Sequence, residues 1–370
     1  MHCRVAHLTS VHRPFDTRIF HKECKSLAMA GYDVTLIAPH AGGDLVRDGI
    51  KLVAVAPPRT RRERITSTIG EVYRAAVRED ADIYHFHDPE LMPVGGLLKL
   101  RGKRVLYDVH EDYAGTMRGK MWMPSAFQGA AALAVSVGEA GFSRTYDAVI
   151  AATPTIAAKF RPRKTQLVQN FPWKNELRWP DALPYEARES IAVYVGALAD
   201  LRGLREMKKA INLAALETPV RLVTAGTVFR GAAAEVDEGN GGLVEHLGLL
   251  DRRQVAQLLA RAKVGMVLLH PTANYFNAQP VKLFEYMSAG LPIIASDFPL
   301  WRTIVGSAGC GLLVDPLDPA AIAQALVWLL RHPAEAAEMG RNGERAVAEE
   351  YNWEGEAQRL ITAYAQLESS

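Results

Sequence analysis

Short apolar runs rich in Val, Ile and Leu alternate with amphipathic stretches from one end of the chain to the other. In the first half, "RVAHLTS", "DVTLIA", "KLVAVA", "DIYHFH", "RVLYDVH", "DAVIAAT" and "TQLVQN" predict strands. Helical patterns lie between them, such as "DTRIFHKECKSLAMAG", which opens on a capping Asp16 and stops at Gly31. Strands alternating with helices predict parallel sheets, so residues 1–170 read as one doubly wound α/β domain.

From 171 to about 190 the periodicity lapses into "FPWKNELRWPDALPYEARES", rich in Pro and Trp, which reads as a linker. The rhythm restarts with "IAVYVGAL", "VRLVTAG", "GLVEHLG", "KVGMVLLH", "LPIIAS" and "CGLLV", giving a second doubly wound domain over 191–351. The tail from Pro319 is helical, and its last helix, about 352–370, is expected to pack back on the first domain. Two such Rossmann-like domains are expected to face each other across a cleft. Ligands of open α/β sheets bind at the carboxyl ends of the strands, so the residues after each strand carry the chemistry.

At 370 residues, 49% apolar and 23% charged, the composition is that of a globular protein of two domains. A net charge of +2 gives no reason to expect nucleic-acid binding. The three cysteines, Cys3, Cys24 and Cys310, lie far apart and read as reduced core thiols in a cytoplasmic protein. No run is long enough to span a bilayer, and the N-terminus lacks a secretory pattern.

In the second domain, Gly196 and Gly203 flank the loop after the first strand and permit close backbone approach, while Arg202 offers a charge-assisted phosphate contact. Any solvated loop can carry the same residues. Gly226 ends the next strand with room for a ligand. Further on, "NYFNAQPVKLFEYMSAG" opens a helix at Pro280, with the N–H groups of Val281, Lys282 and Leu283 free to meet an anion and Lys282 adding a cation. Glu285, one turn in, can accept two ribose hydroxyls; a carboxylate on an early helical turn also serves the helix dipole alone.

The run "PVKLFEYMSAGLPIIASDFPLWRTIV" resembles the signature of the retaining glycosyltransferases of family 4, which have the GT-B fold and use nucleotide-activated sugars. The resemblance extends to "HRPFDTRIFHKECKSLAMAGYDVTLIAP", "DIYHFHDPELMPVG" and "YDVHEDY" in the first half, in the manner of one bacterial polysaccharide branch. It implies that Glu285 holds the ribose, that Leu250 in "LGLLDRRQV" packs on the base, and that Asn277, with Ala278 beside it, meets the donor sugar. Asn277 stands where the family usually has a carboxylate. Ala197 and Arg202 fall where Arg and Lys are frequent.

Without the family, His85, His87 and Asp88 followed by His110, Glu111 and Asp112 are a cluster that could ligate a metal. A metallohydrolase would add a further ligand in the second half, and none stands out. The resemblance assigns His110 to the donor sugar, and His12, Arg13, Asp16 and Arg18, with His87, to the acceptor side. A helix cap and surface charges explain the first four equally well.

The expected reaction is then retaining transfer of a sugar from a nucleotide-diphosphate sugar, UDP by family frequency, to a glycan or lipid-linked acceptor hydroxyl. Arg202 and Lys282 offset charge on the leaving diphosphate, and no metal or other cofactor is expected. "MRGKMWMPSAFQGAAALAVSVGEAGFSR" and "RTRRERITSTIG" mix apolar and basic residues and suit peripheral contact with an anionic membrane, or equally a core helix and a solvated charge run. Alternatives are a non-hydrolysing nucleotide-sugar epimerase and a non-catalytic nucleotide-sugar-binding scaffold.

Overall fold

The computed structural model describes residues 3–118, 125–229 and 242–369. The chain divides into two compact units, Met1–Asn170 with Trp353–Ser370, and Phe171–Asn352. Each is a parallel sheet with helices between its strands.

In the first unit the strands are β1 Arg4–Leu8, β2 Asp33–Pro39, β3 Leu45–Arg47, β4 Ile50–Val55, β5 Ile83–Phe86, β6 Arg104–Val109, β7 Ala148–Ala151 and β8 Thr165–Leu167. They form one sheet in the order β3-β4-β2-β1-β5-β6-β7-β8. Its central strands are buried along almost their whole length, as continuous apolar runs require when helices cover both faces. The exception to parallel pairing is β3, which returns against β4 through Asp48 and Gly49 at φ 53° and 77°. Two positive φ values in a two-residue loop match the twist of a tight hairpin, and Asp-Gly is the sequence that adopts them.

The helix after β1 begins where Asp16 accepts hydrogen bonds from the N–H groups of Arg18 (2.8 Å) and Ile19 (3.0 Å), and it ends at Gly31 with φ 94°. The helix Trp353–Glu368 completes this unit: Trp353 Nε1 donates to Ser26 Oγ (2.9 Å), and the Tyr364 hydroxyl meets His85 Nδ1 (2.8 Å). The acidic Glu356 is drawn into the same contact by the Gln169 N–H at 2.8 Å.

The second unit has β9 Ile191–Val195, β10 Arg221–Ala225, β11 Val244–His246, β12 Val264–Val267, β13 Ile293–Ser296 and β14 Gly311–Val314, in the order β11-β10-β9-β12-β13-β14, all parallel. The order reverses at β9, the switch point where the loops after β9 and β12 diverge. Residues 171–190, read as a linker, belong to this unit instead. Phe171, Leu177 and Tyr185 are buried in its core, with Phe171 edge-on to Phe284. Aromatic anchors at irregular spacing carry no periodic signal, which hides their packing from a pattern reading.

Cys24 and Cys310 are buried free thiols, and Cys3 is partly exposed. Among the described residues no helix is long and apolar enough to cross a membrane.

Candidate functional site

In the second unit the loops after β9 and β10 and the helix Val281–Ser288 meet at the carboxyl edge of the sheet. Gly196 and Gly226 stand at φ 139° and 137°, which side-chain-bearing residues rarely adopt. A Cβ on Gly226 would lie 2.0 Å from the Gly196 carbonyl oxygen, and one on Gly196 would lie 2.7 Å from Lys282 Nζ. Gly196 therefore keeps open the space that the Lys282 side chain enters, and Gly226 lets the Gly196 backbone pack against it.

Pro280 is the N-cap of the helix rather than its first residue, and Val281 starts it. Of the three N–H groups expected to be free, that of Leu283 bonds the Pro280 carbonyl at 3.0 Å, and the Leu283 side chain is fully buried in the core. Lys282 turns inward. Its ammonium is shut off from solvent, lies 3.7 Å from the centroid of the Tyr194 ring, and has no hydrogen-bond partner among the described residues. Burial and the nearby Arg202 charge push its pKa down to about 7, against the opposing pull of Glu285.

Arg202 donates from Nη1 to the Ala197 carbonyl (3.3 Å), which also accepts from the Tyr194 hydroxyl (3.0 Å). Gly203, at φ 75°, then turns the chain into the helix Leu204–Ala215. Two cations thus converge on the end of β9, one of them desolvated and unpaired, which is an unfavourable arrangement until an anion enters.

Glu285 is nearly buried and ion-pairs with Arg252 Nη1 at 2.7 Å, and Arg252 in turn holds Glu176 at 2.8 Å. The carboxylate is therefore already engaged, through one oxygen, by a residue 33 positions earlier in the sequence. Asn277 is exposed at the end of the short helix Ala273–Phe276, and the Ala278 carbonyl accepts from Trp301 Nε1 at 2.8 Å. Leu250 is half-buried and packs against the core, where its neighbour Leu249 is exposed.

In the first unit the adjacent strands β1, β5 and β6 bring His7, His85, His87, Asp108 and His110 together. Asp108 is the hub. It accepts from Arg18 Nε (3.2 Å) and Nη2 (3.1 Å) and from His110 Nε2 (3.0 Å), and His87 Nδ1 stands 3.3 Å away. Burial alone would raise its pKa, but Arg18 and His110 hold it well below the usual carboxylate range. Burial keeps His7 and His85 well below the usual imidazole range and His87 at about 4, so these rings are neutral near pH 7.

Two residues expected on the acceptor side are thus elsewhere. Arg18 is buried, bonding Asp108 and, through Nη1, the Val168 carbonyl at 3.0 Å; His87 is completely buried between His7 and His110. Both point inward because Asp108, far along the chain, supplies the charge and the acceptor. Asp16 caps its helix and stands 3.6 Å from His12. Burial opposes protonation of His12, but Asp16 and Asp88 outweigh it and raise its pKa. His12 and His110 are partly exposed and Arg13 is exposed. Asp108 and Asp88 were missed as organisers. Asp108 stands two residues before His110, on the same face of the extended chain, which is the signal available for it.

A cavity of about 380 Å³ in this unit is lined by Asp112, Ser136, Glu139, Lys159 and Phe160 among others. Part of the apolar and basic segment 117–144 lies outside the described residues. Its described helix, Ser125–Ser143, exposes Phe127, Leu133 and Val137.

Residues 17–168 match the family described as Glycosyltransferase Family 4, and residues 189–332 match that described as glycosyl transferases group 1. The chain is 30% identical over 153 residues to the D-rhamnosyltransferase WbpZ of Pseudomonas aeruginosa, a match covering 41% of this chain and 39% of that protein. It is 32% identical over 143 residues to a phosphatidyl-myo-inositol mannosyltransferase of Mycobacterium leprae, covering 39% and 38%. The matched stretches thus span about two fifths of these relatives. Among solved structures, a sucrose-phosphate synthase from Thermosynechococcus elongatus superposes with a TM-score of 0.79 at 22% identity over the whole of both chains. HepE of Anabaena in complex with UDP-glucose does so with a TM-score of 0.73 at 14% identity, over 99% of this chain and 100% of that one. At such identities the likeness establishes the fold, that of the GT-B glycosyltransferases.

Proposed function

We propose, from the premise that this chain belongs to family 4 of the glycosyltransferases, that it moves a sugar from a nucleoside-diphosphate sugar to an acceptor hydroxyl with retention at the anomeric carbon. The observation that carries the reading is the desolvated, unpaired Lys282 ammonium beside Arg202 at the switch-point strand β9. A diphosphate supplies the charge this pair lacks.

In this reading the bond between the anomeric carbon and the diphosphate oxygen breaks while the acceptor oxygen bonds the same face of that carbon. The acceptor proton passes to the departing phosphate oxygen. The protein contributes position and charge: Lys282, Arg202 and the free N–H groups of Val281 and Lys282 face the leaving group. Glu285, with one oxygen fixed by Arg252, keeps the other for the ribose. His110 Nε2 is bound to Asp108, so the carboxylate fixes the ring, and Nδ1 is the nitrogen left to accept from a sugar hydroxyl.

UDP as the nucleotide is supported by structural neighbours solved with UDP or UDP-glucose. A glycan or lipid-linked acceptor is supported by relatives named for rhamnosyl and mannosyl transfer. The polar cavity beside Asp112 and Glu139 suits its hydroxyls, and the outward apolar residues of the helix Ser125–Ser143 suit a peripheral site on an anionic membrane, as a bacterial surface-polysaccharide enzyme needs.

A thermal-shift panel of UDP-, GDP- and ADP-sugars tests the donor. At a hundred times Kd the cognate donor stabilises by about 2.7 kcal/mol, so one nucleotide should raise Tm well above the others. No shift with any of them would overturn the proposal. Binding should also take up a proton. Near pH 8 free Lys282, with its pKa near 7, is mostly neutral; beside a diphosphate it is charged, so uptake approaches about one proton per UDP. Calorimetry in two buffers of different ionisation enthalpy reads this number, and zero uptake would remove Lys282 from the phosphate contact.

A further inference from the structure

We infer that His7, His85, His87 and Glu23 form a zinc site inside the first unit, one that departs from the expectation of no metal. All four side chains are completely buried, and their donor atoms lie within 4.8 Å of one another. His7 and His85 are register partners on β1 and β5, His87 follows β5 on the same face, and Glu23 comes from the helical turns Ile19–Cys24.

The spacing fits an ion. His7 Nδ1 and His87 Nε2 are 2.9 Å apart, and each is 3.9 Å from Glu23 Oε2. The point equidistant from the corners of that triangle lies about 2.1 Å from each, the length of a zinc bond to imidazole nitrogen or carboxylate oxygen. His85 has Nε2 as the fourth donor. That nitrogen and Glu23 Oε2 are buried without hydrogen-bond partners among the described residues, while Glu23 Oε1 is held by Arg18 Nε at 2.9 Å; two unpartnered polar atoms facing one point are costly unless something occupies the centre.

The opposite nitrogens are held as a metal site requires. His85 Nδ1 meets the Tyr364 hydroxyl at 2.8 Å, His7 Nε2 meets the same hydroxyl at 3.4 Å, and His87 Nδ1 faces the Asp108 carboxylate at 3.3 Å. Such outer contacts fix the tautomer and aim the remaining lone pair at the metal. Charge agrees: one guanidinium, Arg18, faces two buried carboxylates, Glu23 and Asp108, and a dication offsets the surplus. Three imidazoles and one carboxylate select zinc or a similar borderline ion over magnesium or calcium. Without an ion, one of the paired nitrogens of His7 and His87 must donate its proton to the other.

The test uses the full chain with any histidine tag removed, stripped with a chelator and titrated with cobalt(II). The expected result is one equivalent bound, the intense visible bands of a tetrahedral site, and their loss when zinc is added. Glu23→Gln and His85→Gln should abolish the bands, and His12→Ala should retain them. Because ligand variants can misfold, Tyr364→Phe serves as the milder probe, with zinc affinity about tenfold weaker and the fold checked by circular dichroism. Absence of cobalt bands in the wild-type chain, or bands unchanged in all three cluster variants, would overturn the site.

Discussion

Lys282→Met should lower kcat for sugar transfer by about a hundredfold to a thousandfold, the loss seen when one charge-stabilising donor is removed from a preorganised site. The same substitution should leave Tm unchanged or higher. The wild-type ammonium is buried against Tyr194 without a hydrogen-bond partner, so replacing it with an apolar side chain of similar length removes an unmet desolvation cost. Function and stability are thus expected to move in opposite directions. A structural lysine would behave otherwise: its loss would lower Tm and leave kcat within twofold. Steady-state kinetics with the donor found by thermal shift, alongside calorimetric melting, separates the two cases.

Arg18→Met should destabilise the first unit by about 3–5 kcal/mol, because it strips the guanidinium from a buried cluster and leaves carboxylates without their counter-charge. For a unit of this size that corresponds to a fall in Tm of roughly 10 °C. Arg18 engages both oxygens of Asp108 and reaches the Val168 carbonyl. Arg18→Lys should recover little, since a point ammonium cannot reproduce the two-pronged contact. A melting curve within about 0.5 kcal/mol of wild type would show the network to be dispensable. An acceptor-binding arginine, by contrast, would change KM and leave the melt alone.

The strands were legible because their signal is local. Runs such as "IAVYV" and "LPIIA" carry no charged or strongly polar residue and fall on β9 and β13. The strand β3 was missed although its turn, Asp48-Gly49, stands in the sequence, because Leu45–Arg47 is only three residues long and exposed. Phe171 and Leu177 anchor a stretch that has no period to read.

The chemistry is where locality fails. The ion pair of Glu285 depends on Arg252, and the inward turn of Arg18 depends on Asp108, 90 residues later. His87, expected on the acceptor side, is buried for the same reason. Nothing within a few residues of it reports that His7 Nδ1 will meet its Nε2 at 2.9 Å and His110 Nε2 its Nδ1 at 3.1 Å.

The helix Trp353–Glu368 belongs to the unit that begins the chain, whereas residues 171–352 form the other unit without interruption. During synthesis the downstream half can therefore close as soon as it clears the ribosome. The upstream half has to wait, with Ser26 and His85 open, until Trp353 and Tyr364 arrive from beyond it. That inverts the usual order in which nascent domains mature and leaves an apolar seam exposed to chaperones for the time needed to translate some 180 codons, roughly 10–40 s.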